Sequence, residues 1–239
     1  MSAVRRRSHV ASSGLIGVAV ALLLVFTAEP ASAVSPGFYT IASTTGATFS
    51  QLASGNLVSG TADDVIYHLS TTGTGVHRLP FALHLYNQTY VNLAVSTNGN
   101  VQPGTTVGNA AFSNNCLPTA TFGQPAVMPF WDDLFFDSND TSHGFMEGVF
   151  LRTSGSAPHR KFTVSWQGHR FNDSGTLVEA QVIFSEGSQT VTYVYGLNGG
   201  GSATVGIQSK QQLSATQWTC NSNSSTAVTS GMRLTLLHS

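Results

Sequence analysis

Acidic side chains gather in one short stretch, between residues 131 and 147. Carboxylate oxygens brought together on one loop are the ligands that calcium, a hard cation, prefers. The stretch does not follow the EF-hand spacing, because the sixth and twelfth positions counted from Asp137 hold a serine and a glycine. Two alternatives are a solvated loop whose Asp and Asn side chains cap backbone groups, and a site for a polar ligand. The candidate calcium ligands are Asp132, Asp133, Asp137 and Asp140.

Three further side chains are candidates for contact with a ligand. Trp131 ends an apolar run directly before the aspartates. An aromatic face at that place could stack on a sugar, and packing in the core is the alternative. His159 and Arg160 follow a proline in a predicted turn before a strand. They are candidates for ligand contact, with an ordinary role as hairpin-loop residues as the alternative.

Catalytic motifs are scarce in this sequence. Asp132 and Asp133 are neighbours, and in an extended chain neighbouring side chains point to opposite faces. Glycoside hydrolysis instead needs two carboxyl groups that face each other at about 5–9 Å. The sequence has no G-x-S-x-G motif and no H-E-x-x-H motif. We therefore expect a protein that is not an enzyme, with an exported hydrolase acting on polysaccharide or peptide as the alternative.

The elements that must position these residues are β-strands, because apolar and polar residues alternate in nearly every periodic segment of the sequence. Large apolar residues occupy every second place in residues 79–85, 90–95, 162–166, 178–184, 191–195, 203–207 and 232–236. One apolar and one polar face are typical of antiparallel sheets, and Asn98-Gly99 suits a tight hairpin. The predicted fold is all-β: a single antiparallel two-sheet β-sandwich, jelly-roll-like, with about nine to eleven strands.

The sequence divides into three predicted segments. Residues 1–33 have the features of a cleaved signal peptide: arginines at positions 5–7, an apolar stretch from about 15 to 27, and the small-residue site Ala31-Ser32-Ala33. An uncleaved membrane anchor is the alternative, although the apolar stretch is shorter than the ~20 residues that span a bilayer. Residues 34–75 are predicted to be an irregular N-terminal arm, or an edge strand through residues 65–67. Residues 76–239 form the predicted sandwich domain.

Cys116 and Cys220 are the two cysteines of the sequence. An even number of cysteines in an exported chain points to a disulfide bond. Two free thiols or a metal pair are the alternatives, but no histidine lies nearby to complete a zinc pattern. We therefore predict that Cys116 and Cys220 are bonded in a secreted, extracellular protein.

The composition excludes several partners and fold classes. Only 9% of the 239 residues are charged and the net charge is −1, so the chain has no basic surface for nucleic acid. Hydrophobic residues make up 41% of the sequence, which argues against intrinsic disorder. No second apolar span follows the signal segment, so we expect no membrane span in the mature chain. Calcium is the one candidate cofactor.

Several short motifs together resemble a known module. In order, they are LPF at 79–81, YNQTY at 86–90, VSTNGN at 95–100, CLP at 116–118, PFWDDL at 129–134, GVF at 148–150, APHRKFTVSW at 157–166, SEGS at 185–188 and SATVGI at 202–207. They resemble a module of exported bacterial proteins that is often fused to proteases, adhesins or sorting domains. More distantly, they are similar to the nidogen-like domain of extracellular matrix proteins. The resemblance covers about residues 75–237 and implies an extracellular, non-catalytic β-sandwich with an accessory or adhesive role.

Taken together, these features predict a secreted binding module without catalytic activity. Its expected partner is extracellular or cell-surface material, either a glycan or a matrix or cell-surface protein. A structural component of the envelope or matrix is a further alternative.

The signal segment gives the first testable prediction. N-terminal sequencing of the secreted protein is expected to find Val34 as the first residue, because the small residues at positions 31 and 33 direct cleavage after Ala33. A sequence that begins at Met1, or well inside the sandwich domain, contradicts this prediction.

Overall fold

The computed structural model describes residues 37–53, 56–140, 142–198, 201–221 and 227–239. The predicted signal peptide, residues 1–33, lies outside these residues and stays a prediction. The described residues contain two single-turn 3₁₀ helices, Gly75–His77 and Lys210–Gln212. No helix of the described residues is long and apolar enough to cross a membrane.

The described residues form sixteen strands. They are β1 (Tyr39–Thr44), β2 (Leu57–Ser59), β3 (Ile66–Ser70), β4 (Leu83–Leu85), β5 (Gln88–Tyr90), β6 (Asn92–Ser96), β7 (Asn100–Pro103), β8 (Ala126–Trp131), β9 (Leu134–Phe135), β10 (Gly148–Ser154), β11 (Lys161–Arg170), β12 (Asp173–Ser185), β13 (Val191–Asn198), β14 (Thr204–Gln208), β15 (Ala215–Cys220) and β16 (Arg233–His238).

The strands form two large antiparallel sheets and one small hairpin. The eight-stranded sheet has the order β1-β16-β13-β12-β11-β10-β2, with β9 paired to β11, and the six-stranded sheet has the order β15-β14-β8-β7-β6-β3. Strands β4 and β5 pair with each other. The predicted all-β, two-sheet antiparallel sandwich is confirmed. The described residues contain sixteen strands and not nine to eleven, because strands of two or three residues, such as β2 and β9, are too short to show an alternating pattern.

The core lies between the two sheets and contains the alternating apolar residues of the sequence. Trp166 from β11 and Tyr193 and Tyr195 from β13 are fully buried there. The polar atom of a buried Trp or Tyr ring needs a hydrogen-bond partner. Each of the three donates a hydrogen bond to a backbone carbonyl of the six-stranded sheet. Trp166 Nε1 donates to Ser96 at 2.7 Å, Tyr193 Oη to Gly206 at 2.7 Å, and Tyr195 Oη to Pro129 at 2.8 Å.

Residues 47–53 cover the part of the outer face of the eight-stranded sheet that β11 and β12 form. Gln167 of β11 accepts a hydrogen bond from the Leu52 N–H at 2.7 Å and donates one to the Leu52 carbonyl at 3.1 Å. Gln181 of β12 donates to the Ser50 carbonyl at 2.8 Å. Because of this cover, the middle of β11 is buried on both faces.

The connection between β7 and β8 covers the outer face of the six-stranded sheet in the same way. Gln102 donates to the Asn109 carbonyl at 2.7 Å and accepts from the Asn109 N–H at 2.9 Å. Gln208 forms the same pair of bonds with Thr119, both at 2.9 Å. A second, smaller apolar cluster that includes Phe122 lies under this connection.

Residues 34–75, predicted to be an irregular arm or an edge strand, supply three edge strands of the sandwich. Strand β1 pairs with β16 at one edge of the eight-stranded sheet, and β2 pairs with β10 at the other. Strand β3 pairs with β6 at the edge of the six-stranded sheet and includes residues 66 and 67 of the predicted strand. The sandwich therefore begins at β1 and not near residue 76.

A disulfide bond joins Cys116 and Cys220, whose Cα atoms lie 5.4 Å apart. This confirms the predicted pairing. Cys116 lies in the connection between β7 and β8, and Cys220 is the last residue of β15. The bond therefore ties the connection that covers the six-stranded sheet to an edge strand of that sheet.

Gly99 is required where the β6–β7 hairpin meets β8. Its φ is +68°, a conformation that glycine adopts at little cost. A Cβ at this position would lie 1.8 Å from the carbonyl oxygen of Phe130, a backbone atom that cannot rotate away. Gly187 has a similar φ of +71°, but a Cβ there would meet nothing within 4 Å.

The two glycines form a matched pair for a stability experiment. We expect Gly99→Ala to lower the free energy of unfolding by about 2–4 kcal/mol, because a backbone clash adds to the strain of positive φ. We expect Gly187→Ala to cost about 1 kcal/mol from the φ strain alone. Urea unfolding of both variants measures the difference. Equal losses would show that the contact with Phe130 contributes nothing.

Candidate functional site

The four aspartates predicted to bind calcium do not form one group of ligands. Asp132 is buried, accepts a hydrogen bond from the Ser202 hydroxyl, and pairs with Arg170, whose Nε lies 3.2 Å from Asp132 Oδ2. Among the described residues, two groups of three ligand atoms lie within 4.8 Å of one another, and Asp133 is the one predicted aspartate that belongs to either. Asp132 is therefore engaged in an ion pair that holds the end of β8 against the end of β11.

Asp137 and Asp140 cap backbone groups in the loop between β9 and β10. Asp137 Oδ1 accepts from the Asn139 N–H at 3.0 Å and from the Thr61 hydroxyl at 3.0 Å. Asp140 Oδ1 accepts from the Ser142 N–H at 2.8 Å. These bonds match the alternative of a turn-rich loop whose acidic side chains satisfy its backbone.

Asp133 lies beside two aspartates from the segment before β3. The carboxylate oxygens of Asp63, Asp64 and Asp133 are within 4.8 Å of one another. Asp64 Oδ1 accepts from Asn98 Nδ2 at 2.7 Å, whereas the buried Oδ1 of Asp63 has no hydrogen-bond partner among the described residues. We call these three residues the aspartate cluster. No local pattern predicted this cluster, because residues 63 and 64 lie about 70 positions before residue 133.

Burial and like charges shift the protonation of this cluster. Partial burial, followed by the negative charges of Asp63, Asp64 and Asp132, raises the pKa of Asp133 to about 6, and Arg170 opposes the shift. Burial and the charge of Asp64 also raise the pKa of Asp63. At neutral pH the cluster therefore holds negative charges that repel one another.

Trp131 is fully buried, which matches the alternative of packing inside the protein and leaves its ring no exposed face for a ligand. Its indole Nε1 donates to the Ala111 carbonyl at 2.7 Å, and its ring packs edge-on against Phe122 with the centroids 4.7 Å apart. The residue belongs to the small cluster under the β7–β8 connection and not to the core between the sheets. Its physical role is to fix that connection to β8.

The other two predicted ligand residues lie at the β10–β11 turn. Arg160 Nε donates to Glu186 Oε2 at 2.9 Å, and its guanidinium carbon lies 5.4 Å from the ring centroid of Phe81. Through these two interactions the Arg160 side chain stabilises the turn. The hydrogen bond from Arg160 also lowers the pKa of Glu186 to about 2. His159 is exposed in the same turn, and its contact with a ligand stays a prediction.

A second group of ligand atoms lies on the outer face of the eight-stranded sheet. Nδ1 of His143 and Nδ1 of His169 each lie 2.9 Å from the same oxygen, Oε1 of Glu147. Glu147 is fully buried, and its other oxygen accepts from the Asp137 N–H at 2.8 Å. We call His143, Glu147 and His169 the histidine–glutamate cluster. The sequence did not predict it: His143 and Glu147 lie four residues apart in the acidic stretch, but His169 comes from β11, 22 residues after Glu147.

A groove of about 530 Å³ lies beside the β4–β5 hairpin. The ring of Tyr90 packs on Gly104, where a Cβ would come within 2.8 Å of the ring. Tyr86 also lines the groove, and its buried hydroxyl has no hydrogen-bond partner among the described residues. The lining residues are Tyr86, Gln88, Thr89, Tyr90, Val91, Asn92, Gly104, Gln124, Ser209, Lys210 and Leu213.

The raised pKa of Asp133 predicts a pH-dependent stability. The folded protein holds a proton on Asp133 up to about pH 6, whereas an unfolded Asp releases it near about pH 4. Stability therefore falls as pH rises through this window, and Asp133 destabilises the fold at pH 7. We expect Asp133→Asn to raise the free energy of unfolding at pH 7 by about 1 kcal/mol, because solvent screens part of the repulsion, and to have little effect at pH 4.

Urea unfolding at pH 4 and pH 7 measures this effect, and Glu186→Gln is the control of opposite sign. The pKa of Glu186 is lowered by Arg160, so this glutamate stabilises the fold above about pH 4.5, and the stabilisation is lost as pH falls towards 2. Glu186→Gln should therefore destabilise the protein at pH 7. An Asp133→Asn effect of the same size at both pH values would contradict the repulsion.

Comparison with known proteins identifies the family. A family model described as NIDO related matches residues 38–236, a range that runs from the start of β1 into β16. No curated protein and no solved structure matches the chain. The match covers nearly all of the sandwich, including both large sheets and the disulfide. The chain therefore belongs to the nidogen-related family.

Proposed function

We propose that this chain is a secreted, non-catalytic binding module and that the groove beside the β4–β5 hairpin binds an extracellular glycan. The observation that carries the proposal is the chemistry of the groove's lining. It combines apolar surface with amide and hydroxyl groups, which come from Gln88, Asn92, Gln124, Thr89 and Ser209. Amides both donate and accept hydrogen bonds, as sugar hydroxyls do, so they match a neutral sugar without needing charge.

The tyrosines add the apolar surface that a sugar ring needs. Tyr90 is partly exposed in the groove, where it offers an aromatic surface for the C–H groups of a sugar. Tyr86 lines the same groove, although its side chain is buried in the core and packs edge-on against Tyr39.

The lining also supports binding without catalysis. It contains no aspartate, glutamate, histidine or cysteine, and Lys210 is its single charged residue. Glycoside hydrolysis needs two carboxyl groups about the sugar, and the lining of the groove supplies none. This supports a groove that binds a glycan without hydrolysing it.

The size of the groove favours a glycan over a matrix protein. Its volume of about 530 Å³ lies within the range of about 300–1,000 Å³ that is usual for small-ligand sites. A stable protein partner would instead need about 800 Å² of surface on each side. The disulfide and the membership of the nidogen-related family support an extracellular location.

A glycan array probed with the exported protein tests the proposal. We expect binding to a limited set of neutral glycans, with Tyr90→Ala and Gln124→Ala each weakening it by at least about tenfold, the value of one lost hydrogen bond or stacking contact. Phe112→Ala is the matched aromatic control, because Phe112 is half-exposed and lies outside the groove. Binding to matrix proteins alone, or equal loss in the control, would overturn the glycan proposal.

An exported hydrolase is the second candidate, and one observation favours it. Asp133 has a pKa of about 6 and lies beside two other carboxyl groups, which is the pattern of a general acid paired with a base. Release of reducing sugar or peptide that is lost in Asp133→Asn but kept in Tyr90→Ala would select this candidate. Absence of activity on polysaccharides and peptides would favour the binding module over the hydrolase.

A further inference from the structure

The histidine–glutamate cluster brings together three atoms that bind transition metals. Nδ1 of His143, Nδ1 of His169 and a carboxylate oxygen of Glu147 lie within 4.8 Å of one another. Two histidines and one glutamate are a ligand set found at zinc sites, where a fourth position is open to water or another ligand. The two nitrogens face one oxygen at 2.9 Å each. In a tetrahedral zinc site the ligand atoms lie about 3.3 Å apart, so each nitrogen would move less than about 0.5 Å away from that oxygen.

The charge of Glu147 is a second observation that points to a cation. Its side chain is fully buried, and its ion-pair partners among the described residues are the two histidines. A buried carboxylate needs a compensating positive charge, and no lysine or arginine of the described residues lies within 4.0 Å of it. A divalent cation between the three side chains would supply that charge while both imidazoles stay neutral.

The surroundings hold these ligands in place before any ion arrives. The second oxygen of Glu147 accepts from the Asp137 N–H, which fixes the carboxylate. The His169 ring lies against Phe135, with the centroids 5.4 Å apart, and is held by the long strand β11. Outer contacts of this kind orient metal ligands and raise their affinity.

The site has a route to solvent and a candidate fourth ligand. His169 lines a surface cavity of about 360 Å³ together with Phe135 and Phe171. Asp140 Oδ2 lies 3.8 Å from His143 Nδ1, and its side chain is 31% exposed. This carboxylate can reach the fourth position that three protein ligands leave open.

We propose that His143, Glu147 and His169 bind one zinc ion, with Asp140 or water as the fourth ligand. Two imidazoles and a carboxylate suit zinc, whereas calcium prefers an all-oxygen shell of six to eight ligands. The ion fastens the loop between β9 and β10, which carries His143, to strand β11, which carries His169. This inference is independent of the glycan proposal, because none of the cluster's residues lines the groove.

Metal binding to the exported protein, purified without a histidine tag, tests the proposal. The metal-free protein is titrated with zinc by calorimetry, and elemental analysis gives the stoichiometry. We expect one zinc per chain, a melting temperature that rises with zinc and falls again with a chelator, and no competition from millimolar calcium. His143→Ala should weaken zinc binding at least about 100-fold, and Asp140→Asn by about tenfold if Asp140 is the fourth ligand.

His159→Ala is the matched control, because His159 is an exposed loop histidine outside the cluster. It should bind zinc as the unchanged protein does. X-ray absorption on the zinc-loaded, unchanged protein provides a measurement that needs no variant, and it should show two imidazole nitrogens and oxygen ligands at about 2.0–2.2 Å. Failure to bind zinc at one ion per chain, affinity unaffected by His143→Ala, or a metal shell without two imidazoles would each overturn the proposal.

Discussion

Polar groups buried beneath the covering loops of this sandwich need hydrogen-bond partners, and this requirement organises the structure. Each sheet has its inner face in the core and part of its outer face under a loop. Where a loop crosses a sheet, glutamines on the strands form paired bonds with its backbone, as Gln167 does with Leu52 and Gln208 with Thr119. An amide can satisfy a backbone N–H and a carbonyl at once, so it replaces the missing strand neighbour of an irregular segment.

The low charge of the sequence follows from the same requirement. A buried amide pair needs no counter-charge, whereas a buried carboxylate does. The buried carboxylates are accordingly few, and each has a specific arrangement: Asp132 pairs with Arg170, Glu179 accepts from Gln51 and from the Leu197 N–H, and Glu147 faces two histidines. The acidic groups that lack such partners, in the aspartate cluster, are the ones whose pKa values are raised.

The recurrence of apolar residues at every second position was enough to predict the sheets, because inward residues such as Phe162, Val164 and Trp166 alternate with polar ones. The disulfide was also predictable, because the sequence has two cysteines, and so was the Asn98-Gly99 hairpin, which depends on local residue types. The outer covers were not, because the glutamines that hold them have the same pattern as solvent-facing residues of an exposed strand. The burial of Trp131 could not be predicted for the same reason, because it depends on a loop whose path no local sequence pattern indicates.

The two ligand clusters escaped prediction because each includes a residue that is distant along the chain from the others: Asp133 in one and His169 in the other. The cover of the six-stranded sheet is fastened covalently, because Cys116 lies within it and Cys220 ends β15. The loop between β9 and β10 on the eight-stranded sheet has no such bond, although it carries capped aspartates and crosses the end of β11. It is attached to β11 where His169 contacts Glu147, the residue that also contacts His143, and where Gln167 donates to the Met146 carbonyl. A zinc ion at that point would restrain this loop as the disulfide restrains the other, since either link lowers the entropy of the chain segment that it closes.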